Sequence, residues 1–141
     1  MLEKIIKKLN FSHYEKAARV GLALIYIWFG ALKIFGVSPA EGAVEELFYA
    51  TINIMDFNLF LILYGFFEVI IGILFLIPKM TKFVTYLFII HIITTTGPLV
   101  LLPKSAWDAP LVPSFFGQYI IKNIILVITF LGVLINQNSR K

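Results

Sequence analysis

Arg19, Lys33, Glu68, His91 and Lys122 are the residues of this chain whose types can do chemistry in an unusual place. They fall inside four apolar stretches, at 17–36, 58–77, 83–102 and 118–135. At about 1.5 Å per helical residue, each stretch is long enough to cross the ~30 Å hydrocarbon layer of a bilayer. A charge at that depth is costly, so it faces a bundle interior or a water-filled cavity and takes a partner there. A mid-membrane carboxylate and imidazole can relay a proton, and an ammonium can hold a carbonyl oxygen or an anionic head group.

The elements that must position these groups follow from composition. The chain is 60% hydrophobic and 16% aromatic, more apolar surface than a soluble domain of this length can hide. Roughly 60 residues remain outside the stretches, too few for a second domain. Residues 1–141 are therefore expected to form a single all-α membrane domain, an integral four-helix bundle. Lys4, Lys7, Lys8, Lys16 and Arg19 gather before or within the first span, Lys79 and Lys82 flank a short turn, and Arg140 and Lys141 close the tail. The other two loops are acidic or mixed. Positive charge marks the cytoplasmic side, which predicts a multi-pass protein of the bacterial inner membrane with both termini cytoplasmic. The net charge of +4 then serves topology, and no nucleic-acid partner is needed to explain it.

Depth brings the polar groups together. Glu68 stands about ten residues, or about 15 Å, from the outer end of its helix, and His91 reaches nearly the same level from the inner end of its own. Lys33 and Lys122 sit roughly 5–8 Å below the outer surface. The expected arrangement is a polar chamber in the outer half of the bundle. Lys33, Lys122, Asn123 and Gln118 would stand near its mouth, with Glu68 and His91 at its floor. Each group also has a plainer reading. Either lysine can snorkel to the head groups, Glu68 can form a structural ion pair, and His91 can be a satisfied core histidine. The threonines at 94–96 can bond their own helix backbone. Arg19 is expected as an anchor at the inner interface.

Local signals fill in the rest. Residues 1–14 predict an interfacial amphipathic segment, with Leu2, Ile5, Ile6 and Leu9 opposite Lys4, Lys7 and Lys8. Arg19, Ala23, Tyr26, Gly30 and Lys33 share one face of the first span. Trp28 and Lys33 within that span argue against a cleaved signal peptide. Ser38-Pro39-Ala40-Glu41 predicts a capping box opening a surface helix over about 39–54. Its apolar stripe would comprise Val44, Leu47, Phe48, Thr51 and Met55. Pro98 predicts a kink or break after Gly97, and 103–116, rich in proline and aromatics, reads as a fitted lid or interfacial loop.

Several chemistries are excluded by residue type. Without cysteine there is no dithiol chemistry, iron–sulfur cluster or thiolate zinc site. His13 and His91, the two histidines, belong to different depths, so neither a bis-histidine haem nor a metal site is expected within one chain. No phosphate-binding loop, nucleophile elbow or zinc-protease signature is present.

Arg19 with Trp28-Phe29-Gly30-Ala31-Leu32-Lys33, Glu68 with Gly72, the Thr94–Gly97 run, and Gly117-Gln118-Tyr119-Ile120-Ile121-Lys122-Asn123 together resemble the DoxX-like family of small four-helix bacterial membrane proteins. The chain is most similar to the branch that includes inner-membrane proteins linked to reactive-chlorine resistance. The resemblance implies a four-helix membrane fold. It does not choose a function, because members include a small subunit of a thiosulfate:quinone oxidoreductase, oxidant-defence proteins and a eukaryotic receptor-assembly factor.

Two expectations follow. In the first, the chain is an accessory or binding component whose chamber takes a quinone or a lipid head group. Lys33 or Lys122 would bond a quinone carbonyl while Glu68 or His91 relays the proton. In the second, it is a non-catalytic assembly or structural subunit whose buried charges fix helix register. Beyond the lipid bilayer, the expected partner is another membrane protein or a second copy of the chain.

Overall fold

A computed structural model describes residues 11–139. Four helical spans dominate it, at His13–Ile34, Phe57–Phe75, Pro78–Leu101 and Phe115–Asn138. The first lies within α1 (Phe11–Ile34), which is unbroken from Phe11 onward. The predicted interfacial segment therefore falls outside the described residues up to position 10, and beyond that it simply continues the first span. A surface helix α2 (Glu41–Thr51) and the second span α3 (Phe57–Phe75) follow. A 3-10 turn at Pro78–Met80 leads into α4 (Thr81–Thr96) and the short α5 (Pro98–Leu101). Then come α6 (Pro103–Ala106), the strands β1 (Trp107–Ala109) and β2 (Val112–Pro113), α7 (Phe115–Ile121) and α8 (Ile124–Asn138). One end of the bundle, the terminal end, carries the Pro78–Met80 turn, to which Gln137 is tied through the Pro78 carbonyl at 3.0 Å. The opposite end, the loop end, carries α2 and the hairpin.

Chain ends of the helices are set by specific groups. At the end of α1, Val37 N–H donates to the Leu32 carbonyl at 2.9 Å and Gly36 N–H to Lys33 at 3.2 Å, with Gly36 at φ +65. This is a Schellman stop, which needs a residue free to adopt a left-handed backbone. Asp56 caps α3 by accepting from Leu59 N–H at 3.0 Å, and Ser114 caps α7 by accepting from Gly117 N–H at 3.0 Å.

The predicted capping box does not form. Ser38 Oγ accepts from Ala40 N–H at 3.3 Å, so its hydroxyl is spent on a turn, and α2 opens at Glu41 with no side-chain cap. That competition is the usual one for serine. The helix also stops at Thr51 rather than near 54, because Asn53 turns to φ 38. Of the expected stripe, Phe48 is the buried anchor, packed against Phe57, Leu61, Val44 and Phe60, while Thr51 and Met55 are exposed.

Pro98 interrupts the third span in name more than in direction. Gly97 keeps helical dihedrals of φ −47 and ψ −44, and its N–H still donates to the Ile93 carbonyl. The fourth span shows an unexpected interruption at Lys122–Asn123, where Asn123 N–H reaches Ile120 and Ile125 N–H reaches Lys122. Both are one-residue-tighter bonds of the 3-10 type.

An aromatic layer joins all four spans. Phe75 meets Tyr26 at 5.5 Å, Phe88 at 5.7 Å and Phe130 at 5.1 Å between ring centroids, all edge to face. The first and second spans approach more closely still. A Cβ on Gly30 would lie 2.6 Å from the Gly65 carbonyl oxygen, and one on Gly65 would lie 2.7 Å from that of Gly30. Small residues are what allow backbones to meet inside lipid, where no hydrophobic force drives helices together. Gly30→Ala should therefore lower unfolding stability in detergent by about 1–3 kcal/mol through overpacking. Gly21→Ala, where nothing stands within 4 Å, should leave it unchanged or slightly raised.

Candidate functional site

The Gly30–Gly65 contact fixes where the charges meet. Lys33 lies one turn beyond Gly30 on α1, and Glu68 lies one turn beyond Gly65 on α3, so both side chains enter the same interface. Lys33 Nζ donates to Glu68 Oε2 at 2.7 Å. His91, from α4, bonds the other carboxylate oxygen through Nε2 at 3.0 Å. Its second nitrogen, Nδ1, meets the Tyr26 hydroxyl of α1 at 2.8 Å. Relative exposures of 6% for Lys33, 5% for Glu68, 6% for His91 and 3% for Tyr26 put the whole line out of contact with the surroundings.

Partner chemistry assigns the protons. A carboxylate only accepts, so His91 Nε2 carries hydrogen and donates to Glu68. In the neutral ring Nδ1 then accepts from Tyr26. The Lys33 ammonium and the His91 ring thus meet the two oxygens of one carboxyl group. Tyr64 stacks on the His91 ring at 5.7 Å and 16°, and its face lies 5.8 Å from Lys33 Nζ. The Tyr64 hydroxyl lies 3.3 Å from Thr94 Oγ1, which itself donates to the His91 carbonyl at 2.8 Å. Thr95 and Thr96 bond carbonyls one turn back, at His91 and Ile92.

Of the six residues expected to form a chamber, the structure brings together Lys33, Glu68 and His91. Gln118 and Lys122 are exposed on the outside of the fourth span, and Asn123 is half-buried at the start of α8. Gln118 reaches only the Pro113 carbonyl, at 3.4 Å, and Lys122 forms no ion pair among the described residues. The mouth of the chamber is thus absent as drawn. A count of residues along an axis gives level and says nothing about rotation around it. The tight turn at Lys122–Asn123 further resets that rotation.

A second charged cluster lies at the terminal end. Arg19 is 4% exposed, which corrects its expected role as an interface anchor. Its Nε donates to Glu15 Oε1 at 3.0 Å, Nη1 to the Phe75 carbonyl at 3.1 Å and Nη2 to Thr81 Oγ1 at 2.8 Å. Asn136 Nδ2 donates to Glu15 Oε2 at 2.6 Å. The guanidinium thus receives one acceptor from each of the first three spans, and Glu15 passes the connection to the fourth. Glu15 and Asn136 escaped the sequence reading because each stands just outside a predicted span boundary. The spacing of four between Glu15 and Arg19 was the available signal. A groove of about 450 Å³ opens near this end, lined by Tyr14, Gly132, Ile135, Asn136 and Ser139 and far from Lys33 and Glu68 in sequence depth.

This arrangement, a four-span membrane bundle with a buried lysine–glutamate–histidine line, defines the class of protein. The DoxX family model matches residues 16–101, more than half of the chain, and the chain belongs to that family. The match contains Arg19, Tyr26, Lys33, Tyr64, Glu68 and His91 and ends before Gln118, Lys122 and Asn123. No curated protein and no solved structure matches the chain significantly.

The geometry separates the two lysines experimentally. Lys33→Met strands the Glu68 carboxylate in mid-bundle and should cost about 3 kcal/mol or more of unfolding stability in detergent or nanodiscs. Lys122→Met should change it by less than about 1 kcal/mol. Glu68→Gln should cost less than Lys33→Met, because the freed lysine lies one residue from the end of α1 and can turn toward the interface. Chemical or thermal unfolding of the three variants side by side checks all of this.

Proposed function

We propose that this DoxX-family chain is a non-catalytic accessory subunit, a membrane scaffold whose buried charges fix helix register and whose exposed surface meets another membrane component. The observation that carries this reading is saturation. Among the described residues, no buried side-chain nitrogen or oxygen lacks a hydrogen-bond partner. The Lys33–Glu68–His91–Tyr26 line is complete within one chain, as a register lock requires. The lysine distribution supports placing it in a bacterial inner membrane with both termini cytoplasmic.

A second reading keeps a quinone or lipid head group at Lys33 and Glu68. It is favoured by the continuity of the same line, whose links of 2.8, 3.0 and 2.7 Å form a path along which a proton can pass. Gln118, Lys122 and Asn123 have no share in it.

Ubiquinone or menaquinone titrated into nanodisc-embedded protein distinguishes the two. For a scaffold, the unfolding midpoint stays constant across the titration in both wild type and Glu68→Gln. A midpoint that rises with quinone in the wild type, and not in Glu68→Gln, establishes the binding reading instead.

A further inference from the structure

The hairpin at the loop end has a firmly held root and an unheld tip. At the root, Trp107 Nε1 donates to the Leu99 carbonyl at 2.9 Å, Ser114 Oγ to the Ser105 carbonyl at 2.6 Å, and Ser114 N–H to Ala106 at 3.0 Å. Gly117 sits directly against the Ala106 carbonyl, where any Cβ would collide. The tip, between β1 and β2, is Pro110-Leu111.

Leu111 is anomalous twice over. Its φ is +63, a left-handed backbone conformation in which a bulky residue is an outlier. A proline followed by a positive-φ position is the pattern of a type II turn, which favours glycine or asparagine at the second place. Leucine there sacrifices backbone ease for a side chain. Yet that side chain is 91% exposed, so no packing among the described residues offsets the strain. A strained residue of this kind points to an interaction outside the fold.

Position identifies the occupant. Phe115, the first residue of the fourth span, is 88% exposed, and Val100, near the end of the third, is 80% exposed. Both belong to the lipid-facing belt of membrane-spanning helices. Val112 is exposed beside Leu111, and the hairpin is rooted between those two span ends. The hairpin that carries the apolar tip is thus rooted at the ends of two membrane-spanning helices. Asp108, a charged residue on β1, is exposed on the same hairpin away from its tip.

We infer that the 107–113 hairpin is a membrane finger. Leu111, with Val112 and Phe115, dips into the head-group and upper acyl region of the adjoining leaflet. The finger pins the loop segment across the ends of the third and fourth spans. This does not depend on whether the charged cluster binds a ligand.

Because the chain has no cysteine, one introduced thiol is uniquely labelled. Leu111→Cys, Phe115→Cys and Asp108→Cys are each labelled with an environment-sensitive nitrobenzoxadiazole dye in phosphatidylcholine–phosphatidylglycerol nanodiscs. The Leu111 probe should emit at the blue-shifted wavelength of the Phe115 probe. It should be quenched by lipids carrying a nitroxide near the head group and protected from aqueous iodide. The Asp108 probe should emit as in water and be quenched by iodide. A Leu111 probe that behaves like the Asp108 probe overturns the inference. Should Leu111→Cys fail to elute as a folded monodisperse species, Val112→Cys on the same tip answers the question by the same comparison.

Discussion

The ion pair between Lys33 and Glu68 is the constraint around which the bundle is arranged. Removing two charges from water costs several kcal/mol per ion, and one contact rarely repays it. Here the second carboxylate oxygen is taken by His91, the imidazole is held by Tyr26, and Tyr64 covers both the ring and the ammonium. Each addition lowers the cost of the one before. The pair is also possible only because Gly30 and Gly65 let α1 and α3 touch backbone to backbone. Any larger residue at either place would hold the helices apart and stretch a buried 2.7 Å contact.

The first span acts as the spine. It contributes Glu15 and Arg19 to one charged cluster and Tyr26 and Lys33 to the other. Arg19, Tyr26 and Lys33 recur every seven residues, which in a helix of 3.6 residues per turn drifts by only about 20° per step. Between the clusters lies the edge-to-face layer of Tyr26, Phe75, Phe88 and Phe130. Tyr26 belongs to both, its ring in the apolar layer and its hydroxyl in the polar line. The core therefore alternates polar, aromatic and polar along the membrane normal. A one-turn slip of any span would break two layers at once.

Span number, approximate span limits and the inward face of α1 were legible from the sequence, because hydropathy and seven-residue spacing are strong local signals. The common level of Glu68 and His91 was legible from length alone. Rotation was not. Lys122 is exposed, and the tight turn at 122–123 leaves no mark in composition. Ser38 shows a different limit: its motif permitted two local bonds, and only the tertiary course after Gly36 decided between them. Glu15 and Asn136 were lost at boundaries, two residues and one residue beyond apolar windows that stop short of the helix ends at Phe11 and Asn138. The distinction is physical: what depends on distance along an axis can be counted, and what depends on angle about it cannot.

The unequal treatment of the fourth span follows from the same forces. Lipid is as apolar as leucine, so only small-residue contact, hydrogen bonds and close packing draw helices together. The first and second spans have all three. The fourth has Phe130 in the aromatic layer, Gly132 under the Tyr14 ring and Asn136 on Glu15, all in its terminal half. Toward the loop end it offers Ile121, Ile124 and Ile125 to lipid, while Ile120 is buried and Gly117 packs against the Ala106 carbonyl. Accordingly 17% of its most apolar window is buried, against 39% for the first span. The family match covers Arg19, Lys33, Glu68 and His91, while Glu15 and Asn136, buried in the Arg19 cluster at the terminal end, lie outside it. The fourth span is fastened at its two ends by different means. Between those ends, Lys122 and Asn123 interrupt the helix without joining either charged cluster among the described residues.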